Sequence, residues 1–375
     1  MLRGILGQSQ SALSQSVLGL LGVALLSTAA ACGDGNDSSG KAGDDGTEKA
    51  FEREWEWLEP DGAFCRDGSR APLAVSVNPD SKDLMIFLEG GGACYDKATC
   101  LGSFSTVGHQ FLLMGGLFDE TVPNNPVKGW NMVYVPYCTG DSHAGTNPSG
   151  DVPGGPSGQK FVGYTNMGVF LKTIVPMFPN LERVLLTGIS AGGFGASANA
   201  VQVMEAFPKD VKGILIDDSG PAMANKYLSS CLQDRWRTLW GLDDSMLKDC
   251  GDACPNKDDF MVDFSKHLAA TYSDRKSGII ESSEDGIIRG FFGVGQNNCT
   301  ASITDLVPAA AFTEGLLDFR SQLSAYPNFY TYYPNSMQHT WLSSPSLYSY
   351  SIGDVALVDW VTAIINDQPT SNVGP

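Results

Sequence analysis

Basic residues are scarce in this chain: its 375 residues include 24 Lys and Arg against 42 Asp and Glu, for a formal net charge of −18. Proteins that bind nucleic acid need basic clusters to neutralise phosphates, and the sequence has none. We therefore expect no nucleic-acid partner. A strongly negative protein also repels polyanionic substrates at long range.

Long apolar runs are equally rare. One run, residues 17–26, is too short to span a bilayer and lies between Arg3 and three alanines that precede Cys32. This pattern predicts a secretory signal over residues 1–31. Cys32 then occupies the place of the lipidated cysteine of bacterial lipoproteins, although the lipobox is imperfect because Ala29 stands where Leu is usual. The alternative is ordinary cleavage at the same bond, which would leave Cys32 as a free thiol.

Large apolar residues are absent from the segment that follows Cys32, up to residue 50. Such a segment cannot bury a core, so residues 32–50 are expected to be a lipidated cysteine and a flexible tether. The folded domain is then residues 51–375. We expect an exported protein that is anchored through lipid to the bacterial cell envelope or surface, or is otherwise secreted.

Metal-binding patterns are also lacking. Cys250 and Cys254 have the spacing of half a zinc site, but no second cysteine or histidine pair completes it. The sequence therefore predicts no metal, and nothing in it requires a cofactor. Apart from Cys32, the remaining eight cysteines form an even set that fits up to four disulfides in an oxidising compartment, with 105 pairings allowed.

The most informative motif is Gly188-Ile189-Ser190-Ala191-Gly192. It follows a short apolar run and precedes a stretch of small residues, which indicates a strand, a sharp turn and a helix. In that setting G-x-S-x-G is typical of the nucleophile elbow of an α/β-hydrolase. Side chains at 188 or 192 would clash, and glycine adopts the strained φ of such a turn at low cost. The alternative is a Gly/Ser loop without chemistry.

Apolar runs that end in polar turns recur along the body and predict strands buried on both faces of a parallel sheet. Helical patterns lie between them, and a helical insert near residues 222–275 carries Trp236 and Trp240 on one face. The fold predicted is an α/β-hydrolase-like, mostly parallel sheet flanked by helices. The expected strands are residues 84–88, 131–135, 183–187, 211–216, 277–280 and 328–332, and the expected helices are 163–177, 201–207 and 355–365.

Histidine is limited to four positions, which narrows the choice of a general base. The order of an α/β-hydrolase triad is serine, acid, histidine, so only His267 and His339 follow Ser190 suitably. His339 comes after the last strand and is the preferred base, whereas His267 lies in a helical pattern. The acid remains open among three aspartates at strand ends, with two glutamates behind them: Asp217, Asp218, Asp285, Glu281 and Glu284.

An oxyanion hole requires fixed N–H donors close to the nucleophile. Ala191, directly after the serine, should supply one of them. The second donor is expected from the loop that follows the strand predicted at residues 84–88, where Glu89 is followed by Gly90, Gly91 and Gly92. The alternative for this loop is a flexible turn.

These residues resemble the pectinacetylesterase family, which includes Notum-like carboxylesterases. The resemblance extends from about residue 60 to residue 345. It implies Ser190, Asp285 and His339 as the triad, with Gly91, Gly92 and Ala191 as oxyanion donors. The matching segments are residues 87–94 with Cys100, residues 135–138, residues 188–195, residues 217–220, Asp285, and Gln338 with His339.

The resemblance also implies disulfides Cys94–Cys100 and Cys65–Cys138. For the other four cysteines, which allow three pairings, we expect Cys231–Cys299 and Cys250–Cys254. One departure is that many members carry an aromatic residue after the second loop glycine, where this chain has Gly92. That change opens the mouth of the pocket and leaves the size of the acyl group undetermined. His143 and Asp218 are further candidates for substrate contact.

The sequence therefore predicts an exported serine esterase that removes acetyl groups from a polysaccharide without a cofactor. A neutral acetylated glycan is favoured over pectin on grounds of charge. Two alternatives remain: a deacylase or lipase that acts on longer acyl esters, and a catalytically inactive surface protein that binds glycans.

Overall fold

A computed structural model describes residues 53–107 and 115–375. The predicted signal, Cys32 and the whole predicted tether lie outside the described residues. The described part is dominated by one eight-stranded sheet in the order β1-β2-β4-β3-β7-β8-β9-β10, with two two-stranded ribbons beside it. The strands are β1 (Glu56–Leu58), β2 (Leu73–Ser76), β3 (Asp83–Leu88), β4 (Asn131–Val135), β5 (Asn147–Gly150), β6 (Gln159–Phe161), β7 (Arg183–Ile189), β8 (Lys212–Asp218), β9 (Ser277–Ile280), β10 (Phe329–Tyr332), β11 (Ser351–Ile352) and β12 (Val355–Ala356).

The six strands from β4 to β10 in that order run parallel, whereas β1 and β2 add an antiparallel edge. All six predicted strands are present, within two residues of their predicted ends. The antiparallel edge was not predicted. β1 has only three residues and is partly exposed, so it lacks the apolar run that identifies a buried strand.

Helices cover both faces of the sheet because alternate strand side chains point to opposite sides. In β3, for example, Ile86 and Leu88 belong to one apolar core, and Met85 and Phe87 belong to the other. The helices are α1 (Lys97–Leu101), α2 (Gly163–Met177), α3 (Ala191–Ala198), α4 (Ala200–Ala206), α5 (Ser230–Trp240), α6 (Met246–Cys250), α7 (Met261–Thr271), α8 (Gly286–Gly293), α9 (Gln296–Cys299), α10 (Ala309–Gln322), α11 (Ser346–Ser349) and α12 (Leu357–Ile365).

The predicted helices agree with this structure except at the last one. Residues 355 and 356 pair with β11 as β12, and the helix begins only at Leu357. The predicted helical insert is present as α5, α6 and α7, which follow β8 directly in the chain. The insert therefore lies between β8 and β9 in the order of the chain.

All four disulfide pairs stated above are bonded in the structure: Cys65–Cys138, Cys94–Cys100, Cys231–Cys299 and Cys250–Cys254. Disulfides form and persist in oxidising compartments, so these pairs fit an exported protein. Within the described ranges, no helix combines the length and the apolar character needed to cross a bilayer.

Candidate active site

Ser190 stands at the turn between β7 and α3. It has φ 56°, a left-handed conformation that is unusual for a residue with a side chain. The positive φ therefore falls on the serine. The sequence had suggested that Gly188 or Gly192 would carry it, and that expectation was wrong. The two glycines serve close packing instead. A Cβ on Gly188 would collide with the Gly192 carbonyl, and one on Gly192 would collide with the carbonyl of Leu88.

His339 and Asp285 form a hydrogen-bonded pair of ionisable groups. His339 follows β10, and its Nδ1 lies 2.6 Å from Oδ2 of Asp285. Asp285 is fully buried and caps α8, because its Oδ1 accepts the N–H groups of Ile287 at 2.8 Å and Ile288 at 3.0 Å. The helix N-terminus favours the negative charge there. An Nδ1–H donated to Asp285 leaves the Nε2 lone pair available to accept a proton.

Asp218 connects the serine turn to the histidine loop. Its backbone carbonyl accepts the Ser190 N–H at 2.7 Å. Its carboxylate accepts the N–H groups of Trp341 and Leu342, each at 2.7 Å, just after His339. Among the described residues there is no hydrogen bond between the Ser190 hydroxyl and His339. Such bonds are often long in unliganded enzymes and tighten when substrate binds.

This geometry does not support the suggestion that Asp218 contacts substrate. Its side chain is fully buried, and the Ser219 hydroxyl adds a third donor at 2.9 Å. Burial raises the pKa of Asp218 to about 6, even though these donors favour its charged form. The neighbouring candidate acid, Asp217, accepts a hydrogen bond from the Ser197 hydroxyl at 2.8 Å and makes none with His339.

The glycine loop after β3 lies against the serine turn. A Cβ on Gly90 would come within 3.0 Å of the Ser190 Cβ, so the loop could not approach as closely with a larger residue. Gly91 and Gly92 have φ 153° and 76°. In the described part of the chain, no protein acceptor takes the backbone N–H of Gly91, Gly92 or Ala191. These three donors are therefore available to an oxyanion.

Glu89 and His143 hold the base of this loop. The Glu89 carbonyl accepts a hydrogen bond from His143 Nε2 at 2.9 Å, and a Glu89 carboxyl oxygen accepts the Tyr137 N–H at 2.9 Å. Burial lowers the pKa of His143 to about 4, so the ring is neutral and Nε2 is the donor. His143 is 4 % exposed, and its ring lies 4.7 Å from that of Tyr137. The suggested contact of His143 with substrate is not supported, because the side chain is buried and its Nε2 bonds to the backbone of Glu89.

An apolar cavity opens beside Ser190. The helical insert forms much of its wall, including Trp236 and Trp240, whose rings are stacked with centroids 5.6 Å apart. The cavity continues as far as Phe329 of β10. The other residues that line it are mainly aromatic and aliphatic and include Gly92, Ala191, Phe194, Asp217, Leu242, Met246, Met261, Phe264, Ile288, Phe291, Phe292 and Phe319.

Sequence reasoning missed Glu89 and His143 as supports of the glycine loop and Asp218 as the link between the serine and histidine segments. Asp218 was considered only for its charge, since nothing in the sequence shows that its carboxylate would meet backbone N–H groups 123 residues later. In the described ranges, no group of three or more His, Cys, Asp or Glu side chains is arranged to hold a metal ion.

Comparison with known proteins identifies the family of this chain. Residues 56–261, more than half of the chain, match the pectinacetylesterase family. The chain belongs to this family. Palmitoleoyl-protein carboxylesterase notum1a from Danio rerio is 28% identical over 194 residues, which are 47% of this chain and 37% of the relative. Pectin acetylesterase 4 from Arabidopsis thaliana is 26% identical over 205 residues, which are 50% of this chain and 49% of the relative.

The fold is also shared with a solved structure. A crystal structure of the Wnt deacylase Notum from Drosophila superimposes with a TM-score of 0.63 at 19% identity, covering 87% of this chain and 96% of the other. At that identity the likeness shows the α/β-hydrolase fold alone. In sequence, the chain matches less than half the length of the two curated relatives described above.

Proposed function

We propose that this member of the pectinacetylesterase family is a serine carboxylesterase. The observation that carries the proposal is the His339–Asp285 hydrogen bond of 2.6 Å, at the same edge of the sheet as the strained Ser190. With Nδ1–H donated to Asp285, His339 takes the serine proton through Nε2. The serine oxygen then attacks the ester carbonyl, and the resulting oxyanion lies between the N–H groups of Gly91, Gly92 and Ala191.

Collapse of that intermediate releases the alcohol, which receives its proton from His339, and leaves an acyl group on Ser190. Water, activated by the same imidazole, then releases the acid and restores the serine. No metal or cofactor enters this sequence of steps. The test is labelling with a fluorophosphonate, which should modify Ser190 in the wild type. Absence of labelling at Ser190 would favour the alternative of an inactive glycan-binding protein.

For the acyl group, the cavity favours a chain longer than acetyl. Its walls are aromatic and aliphatic from Trp236 to Phe329, so methylene groups beyond acetyl would pack against apolar side chains. Each methylene buried there contributes about 0.8 kcal/mol. The relative named palmitoleoyl-protein carboxylesterase supports this choice. Removal of acetyl from a polysaccharide is the second candidate, supported by the relative named pectin acetylesterase.

Nitrophenyl esters of acetate and octanoate separate the two candidates. If the acyl chain occupies the cavity, kcat/KM for octanoate should exceed that for acetate by about tenfold or more. A matched pair of variants, Trp236→Ala and Trp236→Phe, tests whether the cavity is responsible, because only the first removes the aromatic side chain. Faster acetate hydrolysis would favour the glycan deacetylase. A panel of acetylated glycans, neutral and acidic, would then identify the polymer.

We also propose that the protein is exported and carries lipid on Cys32. This rests on the run at residues 17–26 and the small residues before Cys32. Metabolic labelling with a fatty acid tests it, and the control is Cys32→Ser. A Cys32→Ser variant that stays membrane-bound, or a wild type without label, would contradict lipidation and favour ordinary cleavage.

A further inference from the structure

Glu281 is a buried acid that the proposed mechanism does not use. It follows β9 directly and begins the loop that ends at Asp285. Its backbone N–H donates to the carbonyl of Tyr332 at 3.1 Å, which joins the loop to β10. The side chain is fully buried. A buried carboxyl group is costly unless it is hydrogen-bonded or neutral, so the partners of Glu281 need an explanation.

The surroundings of Glu281 offer one partner for its carboxyl group. Across the described residues, neither Oε atom accepts a bond from an N–H or hydroxyl donor. Asp285, four residues later in the same loop, is the side chain placed to share a hydrogen bond with it. Two ionised carboxylates have no hydrogen to share, so this bond exists only when one of the pair carries a proton.

The acid that accepts fewer hydrogen bonds carries that proton, because donors stabilise an ionised carboxylate. Asp285 accepts two backbone N–H groups and the His339 imidazole, which stabilise its ionised form. Glu281 accepts no such donor. The proton therefore resides on Glu281, and the bond runs from its hydroxyl to the Asp285 carboxylate.

The surrounding charges act in the same direction. Burial raises the pKa of Glu281 well above its usual value, and the negative charges of Asp285, Asp218 and Asp217 raise it further. Asp285 belongs to the same loop, whereas Asp217 and Asp218 face Glu281 from β8. Tyr333, after β10, also faces it, and burial raises the pKa of its phenol as well.

We propose that Glu281 is a positioning residue that stays protonated and donates a hydrogen bond to Asp285, extending the line of Ser190, His339 and Asp285 by a fourth group. This inference rests on the proposed esterase function. The bond holds the Asp285 carboxylate in place for His339 without a second negative charge beside it. An ionised Glu281 would instead favour the protonated imidazole, which cannot act as a base.

Two substitutions of similar length separate the donor from the volume that it fills. Glu281→Gln keeps a neutral donor, and kcat should stay within about threefold of wild type with the same acid limb of the pH profile. Glu281→Met removes the donor. Because a hydrogen bond to a charged group is worth at least about tenfold, kcat should fall by about tenfold with KM unchanged. The acid limb should also move to higher pH, since Asp285 then holds the imidazolium more strongly.

Glu284→Gln is the matched control, because it removes a partly exposed carboxyl from the same loop. It should leave kcat and the pH profile unchanged. Thermal unfolding of the Glu281→Met variant checks that a loss of kcat is not a loss of folded protein. Equal loss in the Gln and Met variants, or no loss in either, would overturn the proposal.

Infrared difference spectra give a measurement that does not depend on turnover. At neutral pH, Glu281→Gln should remove a protonated-carboxyl C=O band that is present in the wild type and in Ser190→Ala. If that band is absent while the wild type hydrolyses esters, the role of Glu281 is wrong and the esterase function stands. If the wild type hydrolyses no ester, the esterase function is wrong, and the positioning role is overturned with it, even where the band is present.

Discussion

The carboxylate of Asp218 accepts the backbone N–H of Trp341 at 2.7 Å, two residues after His339. The same residue holds Ser190 through its backbone carbonyl. Asp218 therefore fixes the positions of the segments that carry the proposed nucleophile and the proposed base, although it touches neither reacting atom. Asp285, in contrast, bonds directly to the imidazole. The two acids should respond differently to the same substitution.

Replacement of Asp285 by Asn should reduce kcat by about 10⁴-fold. An amide in place of the carboxylate favours the wrong tautomer of the histidine, as in the comparable substitution in serine proteases. The measurement is steady-state hydrolysis of a nitrophenyl ester, with circular dichroism to confirm folding.

Asp218→Asn is the comparison for that variant. Its amide oxygen can still accept from Trp341 and Leu342, so we expect a loss of kcat below about 10²-fold, together with a lower melting temperature. A larger loss of kcat at Asp218 than at Asp285 would reverse the assignment of the acid.

Replacement of Ser190 by Ala should reduce turnover by on the order of 10⁴-fold or more, because no acyl-enzyme can form. Fluorophosphonate labelling should disappear as well. Ser197→Ala is a suitable control, since that hydroxyl also lies in the cavity wall but bonds to Asp217. A Ser190→Ala variant that turns over at the wild-type rate would exclude a serine mechanism at this position.

The sequence alone was sufficient for the parallel strands, the serine turn and the preference for His339, because each depends on a local pattern. Apolar runs identify buried strands, and glycine spacing identifies a crowded turn. The choice of Asp285 over Asp217 and Asp218 came from the family resemblance, since all three are aspartates at strand ends. Their hydrogen-bond partners are distant in sequence, and only the folded chain shows which of them meets the imidazole.

The roles of Glu89, His143 and Glu281 could not be predicted from the sequence for a related reason. His143 was considered a substrate contact because it lies on a loop at a strand end. In the fold its ring is buried and serves the backbone of Glu89. A single sequence shows neither which side chains are buried nor which hydrogen-bond donors lie beside them.

His143 should make the protein less stable as the pH falls. Burial lowers its folded pKa from 6.5 to about 4, so the unfolded chain binds a proton that the folded chain resists. Unfolding free energy should therefore decrease as the pH drops below 6.5 and level off near 4, by at most about 3 kcal/mol from this group. Urea titrations at several pH values should show a weaker dependence for His143→Gln, whose amide can still donate to Glu89. An equal dependence in both proteins would show that His143 is not the group responsible.

Loss of the Cys65–Cys138 disulfide should cost more stability than loss of Cys250–Cys254. The first closes a loop with a sequence separation of 73, and the second closes one of 4. Loop-closure entropy predicts contributions of about 4 and about 2 kcal/mol, respectively. Cys138 also precedes the segment that carries His143, so the first loss should loosen the support of the glycine loop after β3. Double alanine variants compared by urea unfolding and by kcat test this. Equal losses of stability would show that native-state packing, and not chain entropy, determines how much each disulfide stabilises the protein.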